Sequence, residues 1–139
     1  RELRAFEFDA TNSPDLFPAL VALAAAAEGE SRIIGTSRLR HKESDRAETL
    51  CREYEKLGIE IDISEDNVMK IRGGEICPSE VFSHNDHRIA MSLAASALRC
   101  KGDITITAAE CVEKSYPDFF EDLESLWLAF SLSFSPNLY

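Results

Sequence analysis

Four short polar clusters in this 139-residue chain carry the side chains that could do chemistry. They are Ser13-Pro14-Asp15, Arg40-His41-Lys42-Glu43-Ser44-Asp45-Arg46, Asn85-Asp86-His87-Arg88 and Glu113-Lys114-Ser115-Tyr116-Pro117-Asp118. Each stands where an apolar, helix-period stretch is about to begin. A helix N-terminus offers unpaired backbone N–H groups and the positive end of the helix dipole, so it favours anions. Lys and Arg there strengthen that preference, and carboxylates among them can move protons. The combination points to chemistry on a phosphorylated or carboxylated small molecule.

Within the second cluster, Glu43 and Arg46 are three residues apart and would share one helical face. They read either as a surface ion pair worth a few tenths of a kcal/mol or as a proton-moving carboxylate beside an anion-holding guanidinium. Lys42 at a helix start is disfavoured by the dipole, which a bound anion would offset. In the third cluster Asp86 is a natural N-cap, and His87 and Arg88 then fall in the positive first turn. Arg88 suits bidentate anion binding. Asp15, directly after Pro14, taken alone reads first as an ordinary helix-start acid. Lys114 means little by itself.

The elements that must position these groups follow from composition and period. Hydrophobic residues make up 45% of the chain, which excludes a disordered segment, and the length suits one domain with a real core. Net charge is −10, from 15 basic and 25 acidic residues, the wrong balance for a nucleic-acid binder. An acidic chain that binds anions must gather its cations locally, and Arg38, Arg40, Lys42, Arg46, Arg88 and Lys114 are the candidates. No charge-free apolar run is long enough to span a membrane. No secretory signal is visible, and the start at Arg1 rather than Met suggests a piece of something longer. Cys51, Cys77, Cys100 and Cys111 lack metal-site or disulfide spacing. We expect a reducing compartment, no zinc, no catalytic cysteine, and core roles for Cys51 and Cys100.

Leu3–Phe8 alternates as a strand. Ser13 as N-cap and Pro14 as first residue open a helix to about Glu28, apolar on nearly all faces and stopped by Gly29. A short strand at Arg32–Ile34 precedes a helix from about Glu43 to Leu57. Ile59, Ile61 and Ile63 alternate, and Val68, Met69 and Ile71 return as the second arm of a hairpin about the turn Glu65-Asp66-Asn67. Gly73–Pro78 is a break. A helix spans about Asp86–Arg99, a strand Asp103–Thr107, and Pro117 opens a last helix with the stripe Phe119, Phe120, Leu123, Leu126 and Trp127. Residues 128–139 form an apolar, Ser-rich tail of unknown role. A shift of about 73 residues superposes Gly29 on Gly102, Pro14 on His87 and Asp15 on Arg88, and brings Lys42 to within one place of Lys114, so the chain contains an internal repeat.

The sequences Ser-Pro-Asp15, Lys42-Glu43-Ser-Asp45-Arg46, Asn85-Asp86-His87-Arg88-Ile-Ala-Met and Lys114-Ser-x-Pro-Asp, in that order, resemble the C-terminal motifs of the EPSP synthase family (3-phosphoshikimate 1-carboxyvinyltransferases), over about Asp9 to Leu126. The resemblance implies an α/β fold built from repeated βαβαββ units, helices packed inside and sheets outside, as an inside-out barrel. Residues 1–127 would form about one and a half units of a partial C-terminal domain. It implies enolpyruvyl transfer from phosphoenolpyruvate to the 5-hydroxyl of shikimate 3-phosphate, with release of phosphate. By the same resemblance Asp15 contacts and deprotonates that hydroxyl, and Lys42 binds shikimate 3-phosphate. Glu43 is the acid–base group at the methylene carbon. Arg46, Arg88 and Lys114 hold phosphoenolpyruvate with support from His87, and the loop Thr36–Arg40 holds a further substrate contact. No metal or organic cofactor is implied. The whole enzyme would be a cytoplasmic monomer whose N-terminal domain is missing here, so this piece alone would not turn over. The alternatives are a related enolpyruvyl transferase with a UDP-N-acetylglucosamine substrate and a stand-alone anion-binding module.

Overall fold

The computed structural model describes residues 2–134, with side chains through Trp127. Regular structure begins at strand β1 (Glu7–Asp9), later than the alternation suggests. The buried hydroxyl of Ser31 accepts the Phe6 N–H at 3.1 Å and interrupts the backbone ladder, so only a bridge between Arg4 and Glu28 precedes β1. A 3₁₀ turn (Pro14–Leu16) leads into helix α1 (Phe17–Ala25). The expected cap is corrected here: Ser13 makes no side-chain capping bond, and Pro14, with φ already fixed, starts the turn without one. α1 also ends before Glu28, because Gly74 N–H caps the Ala25 carbonyl at 3.1 Å.

Strand β2 (Gly29–Ile34), helix α2 (Arg46–Lys56), strand β3 (Glu60–Asp62) and strand β4 (Val68–Gly73) complete a first βαβαββ unit. Its sheet has the order β1-β2-β4-β3: β1 is parallel to β2, and β4 is antiparallel to both β2 and β3. Strand β5 (Ser79–Phe82), helix α3 (His87–Ala97), strand β6 (Ile104–Thr107) and helix α4 (Phe119–Phe134) follow. β5 lies past the Gly73–Pro78 break, in a stretch too short and irregular for its pattern to show. α4 extends into the apolar tail, and residues 135–139 of that tail lie outside the described residues.

β5 and β6 pair in parallel, and the repeat appears in their register: Phe8 faces Ile33 as Val81 faces Ile106, with the same offset on both sides. The match continues past the strands. Gly35 (φ +116°) ends β2 and Ala108 (φ +56°) ends β6, both left-handed, and each opens a 3₁₀ segment, Thr36–Leu39 and Ala109–Lys114. Glycine is needed at the first, where a Cβ would come 2.9 Å from Thr11 N.

α1 and α2 pack on the four-stranded sheet, α2 and α3 on the β5–β6 pair, and the three helices touch one another. Phe17, Val21, Ile33, Leu50, Met69, Ile71, Val81, Ile89 and Leu93 form one continuous core. The helix junction also holds a satisfied polar knot. Buried Tyr54 Oη donates to the Ser92 carbonyl and lies 2.8 Å from Ser96 Oγ, while Ser92 Oγ donates to the Pro18 carbonyl at 2.6 Å. Burial pushes the phenol up to about 12, so it stays protonated as a donor. The cysteines are free; Cys111 is buried, Cys51 and Cys100 are half-buried, and Cys100 follows α3 rather than lying within it. No helix among the described residues is long and apolar enough to cross a membrane.

Gly73 lies against the end of α1, where a Cβ would sit 2.5 Å from the Ala24 carbonyl oxygen and collide with that of Ala27. Gly73→Ala is expected to cost about 3 kcal/mol, read by chemical denaturation. Gly74→Ala, with open space at its Cβ position, should stay within about 0.5 kcal/mol of the parent. Equal stability of the two variants would remove this contact from the fold.

Candidate active site

The clusters converge on the guanidinium of Arg46. This residue opens α2, and Asp45 before it is the N-cap, its carboxylate accepting Glu48 N–H at 3.4 Å. Lys42 and Glu43 therefore lie in the loop before the helix rather than in its first turn, which corrects the sequence reading. An Asp in extended conformation that caps the following amides sets the helix start behind it. Nor is the Glu43–Arg46 contact a surface pair, since Arg46 is 1% exposed.

Arg46 spends its donors on three carboxylates. Nε reaches Asp86 Oδ2 at 2.9 Å, Nη2 reaches Asp86 Oδ1 at 3.2 Å and Glu43 Oε2 at 2.6 Å, and Nη1 reaches Asp15 Oδ1 at 3.0 Å. Ser44 Oγ donates to Asp86 Oδ2 at 2.8 Å. Asp86, fully buried, also caps α3 by accepting Arg88 N–H at 3.1 Å. Burial raises the Asp86 pKa, but hydrogen bonds from Arg46 and Ser44 and the nearby guanidinium charge outweigh it and hold the carboxyl below its ordinary range. Arg46 is likewise pushed down by burial and held above its usual value by Asp86, Glu43 and Asp15.

Asp15 sits in the 3₁₀ turn before α1, at the solvent side of the network. Lys42 Nζ approaches its Oδ1 at 3.5 Å and Arg88 Nη2 its Oδ2 at 3.7 Å. Partial burial raises Asp15, while Arg88, Lys42 and Arg46 together bring it below the ordinary aspartate value. Asp15, Lys42, Glu43 and Arg88 are all partly exposed, so one face of the cluster is open to a ligand. There alternating charges lie within ion-pair distance: cations that an incoming anion could engage, and carboxylates that such an anion would displace or deliver protons through.

The remaining expected site residues make no hydrogen bond or ion pair with this network. The side chains of His87, in the first turn of α3, and exposed Lys114, closing the 109–114 segment, form no hydrogen bond or ion pair with the described residues. Arg38 is occupied by the Thr11 carbonyl at 3.0 Å. Arg40 lines a cavity of about 460 Å³ with Asp45, Glu48 and Glu65, so neither joins the cation cluster. A further buried polar group without a sequence motif emerges on α2: Glu53 is 1% exposed and accepts from His84 Nε2 at 3.0 Å and from Lys56 Nζ at 2.7 Å. Its only trace in the sequence is the two-turn spacing of Arg46 and Glu53 on one helical face. Among the described residues no His, Cys, Asp and Glu group could hold a metal ion.

Comparison with known proteins identifies the family. The family model described as EPSP synthase (3-phosphoshikimate 1-carboxyvinyltransferase) matches residues 1–123. A 3-phosphoshikimate 1-carboxyvinyltransferase of Clostridium perfringens is 46% identical over 125 residues, covering 90% of this chain and 30% of the relative. That of Methanosarcina acetivorans is 46% identical over 126 residues, 91% of this chain and 29% of the relative. Among solved structures, EPSP synthase from Acinetobacter baumannii superposes with a TM-score of 0.71 at 38% identity, over 79% of this chain and 26% of that one. The enolpyruvyl transferase NikO from Streptomyces tendae gives 0.67 at 26% identity, over 91% and 28%. The chain thus spans about 30% of the length of the curated relatives it matches.

Asp86→Asn leaves Arg46 buried beside a neutral amide and is expected to cost about 3–5 kcal/mol at pH 7. Because the folded-state pKa of Asp86 is depressed, its stabilisation is complete above the ordinary value of 3.8 and is lost as pH falls through the lower, folded-state value. Denaturation curves of Asp86→Asn should therefore decline less steeply below that pH than those of the parent. An equal acid slope would show that the pair does not store this stability.

Proposed function

The chain belongs to the EPSP synthase family, and from that premise we propose that it supplies one half of the site that joins phosphoenolpyruvate to the 5-hydroxyl of shikimate 3-phosphate and releases phosphate. The observation that carries the reading is the Asp15 carboxylate ringed by Lys42, Arg46 and Arg88, with Glu43 on the same guanidinium. Residues 1–127 are assigned to a partial C-terminal domain. The partner is the remaining part of the same polypeptide, and the whole protein is assigned to the cytoplasm as a monomer.

In this reading Asp15 takes the hydroxyl proton as the oxygen attacks C2 of phosphoenolpyruvate, and Glu43 gives a proton to its methylene carbon. Glu43 then takes a proton back as phosphate leaves. Lys42 holds shikimate 3-phosphate, and Arg88, Lys114 and His87 hold phosphoenolpyruvate; Arg46, 1% exposed and engaged by Asp15, Glu43 and Asp86, joins them only by giving up one of those carboxylates. The electrostatics supports an order of events. The cations around Asp15 weaken it as a base. Anionic substrates that engage Lys42 and Arg88 relieve that effect and make the carboxylate more basic when it is needed. Both substrates are polyanions, so preorganised positive charge is also the main source of rate. A relative of 30% coverage leaves most of the polypeptide elsewhere, and a half-open cluster cannot exclude water from the intermediate.

This chain alone, mixed with both substrates, is expected to release no phosphate; measurable turnover would show that no second half is required. In the complete enzyme Glu43→Gln should lower kcat by about 10²–10⁴-fold while changing phosphoenolpyruvate affinity far less. Equal losses in a rate assay and a binding isotherm would assign Glu43 to binding instead. Preference for a nucleotide sugar over shikimate 3-phosphate would move the reading to the related transferases.

A further inference from the structure

Helix α2 offers two buried charges to the segment that leads into α3. Arg46 and Glu53, two turns apart and each 1% exposed, face Asp86 and His84, respectively. The polarity is reversed between the two points: at the helix start a cation holds a carboxylate, and farther along a carboxylate holds an imidazole. Glu53 Oε1 accepts from His84 Nε2 at 3.0 Å, and Oε2 accepts Phe82 N–H at 3.3 Å, the last amide of β5. Lys56 at 2.7 Å completes the neutralisation. Burial raises the Glu53 carboxyl, but these donors outweigh it and keep it ionised.

The segment so gripped is strained. His84 (φ +54°) and Asn85 (φ +56°) are consecutive non-glycine residues in the left-handed region, which Asn tolerates but which costs on the order of 1–2 kcal/mol at His84. Such a conformation persists only where the surroundings over-determine it. On one side Ser83 donates through Oγ to the Ala108 carbonyl at 2.8 Å, and it receives Asn85 N–H at 3.1 Å. On the other, Glu53 holds His84, whose ring also lies 4.5 Å from that of Phe82. The next residue is Asp86, the buried partner of Arg46. A chain relaxed out of two left-handed residues would redirect Asp86 and Arg88 together.

We propose that Glu53 is a positioning residue for the candidate site: by clamping His84 and the end of β5 to α2, it fixes the left-handed turn that presents Asp86 to Arg46 and Arg88 to Asp15. The inference deepens the functional reading above and rests on it only in calling the cluster a site; the clamp can be measured without any substrate.

The test follows the Arg46 Nε–H signal of the whole chain by ¹⁵N NMR, since that proton is buried against Asp86. Glu53→Gln should shift this signal and speed its solvent exchange about tenfold, as when a buried group loses one supporting interaction. The amides of Ile33 and Met69 in the first sheet should not change. Lys56→Gln, which leaves the His84 and Phe82 contacts, should leave Arg46 unchanged. If Glu53→Gln does not fold, His84→Asn gives the same readout, because Asn tolerates the left-handed turn but is too short to reach Glu53. His84→Gln, long enough to donate, should restore the signal. An unshifted, equally protected Arg46 Nε–H in folded Glu53→Gln or His84→Asn overturns the proposal. Faster exchange at Ile33 and Met69 as well would make Glu53 a general stabiliser and overturn it too.

Discussion

A guanidinium cannot be taken out of water unless its charge and its donors are all answered, and the position of Arg46 imposes that condition on the rest of the structure. The idealised cost of desolvating such an ion is of order 20 kcal/mol, several after relaxation. The structure answers all three nitrogens: Asp86 accepts from Nε and Nη2, Glu43 from Nη2 and Asp15 from Nη1. Each carboxylate arrives from a different segment: the cap of α3, the loop before α2, and the 3₁₀ turn before α1. One side chain therefore fixes three chain entries at once. Such a network is worth little if any one member is missing, because the remaining charge is then buried without a partner.

The internal repeat explains why those entries are near one another. β1-α1-β2 and β5-α3-β6 are the same parallel crossover with the same register, so α1 and α3 lie side by side with their starts level. Ser92 Oγ on the Pro18 carbonyl and Arg88 on Asp15 mark that alignment. The copies diverge where chemistry is placed. After the left-handed residue, the first copy runs through Leu39 into Lys42 and Glu43. The second runs through Val112 to Lys114, whose side chain the network does not use. Duplicated geometry thus provides two helix starts, and sequence divergence gives that of α1 the Asp15 carboxylate and that of α3 the Asp86 cap and the Arg88 guanidinium.

A chain of net charge −10 shows why the cations must be held by their own acids. Left unpaired, Lys42, Arg46 and Arg88 would repel one another; interleaved with Asp15, Glu43 and Asp86 they form a compact array that is charge-balanced when empty. Each cation of the array thus lies within ion-pair distance of at least one carboxylate. The same principle recurs at Glu53, whose buried charge is answered by His84, Lys56 and a backbone amide.

The sequence by itself determined which segments are helices and strands wherever period or punctuation was strong. The hairpin around Asn67, the cap at Asp86, the nearly all-apolar helices and the repeat are legible because they rest on residue spacing and on local backbone preference. Three of the four motifs supply the side chains that the structure brings together, Asp15, Lys42, Glu43, Arg46, Asp86 and Arg88, whereas Lys114 of the fourth forms no ion pair with them. Two boundaries depended on contacts from elsewhere, Ser31 delaying β1 and Gly74 ending α1, while the α2 start turned on a local choice of cap, Asp45, which leaves Lys42 and Glu43 outside the helix. Strand β5 carries too short a pattern to be read without its partner β6. Only the tertiary structure decided that Arg46 is buried rather than a surface half of an ion pair, that Arg38 and Arg40 turn away, and that Glu53 grips His84. Burial and the partner of a charge are properties of residues 31 to 40 positions apart, as for Arg46 with Asp15 and Asp86. Local spacing carries no information about such pairs until the helices have packed.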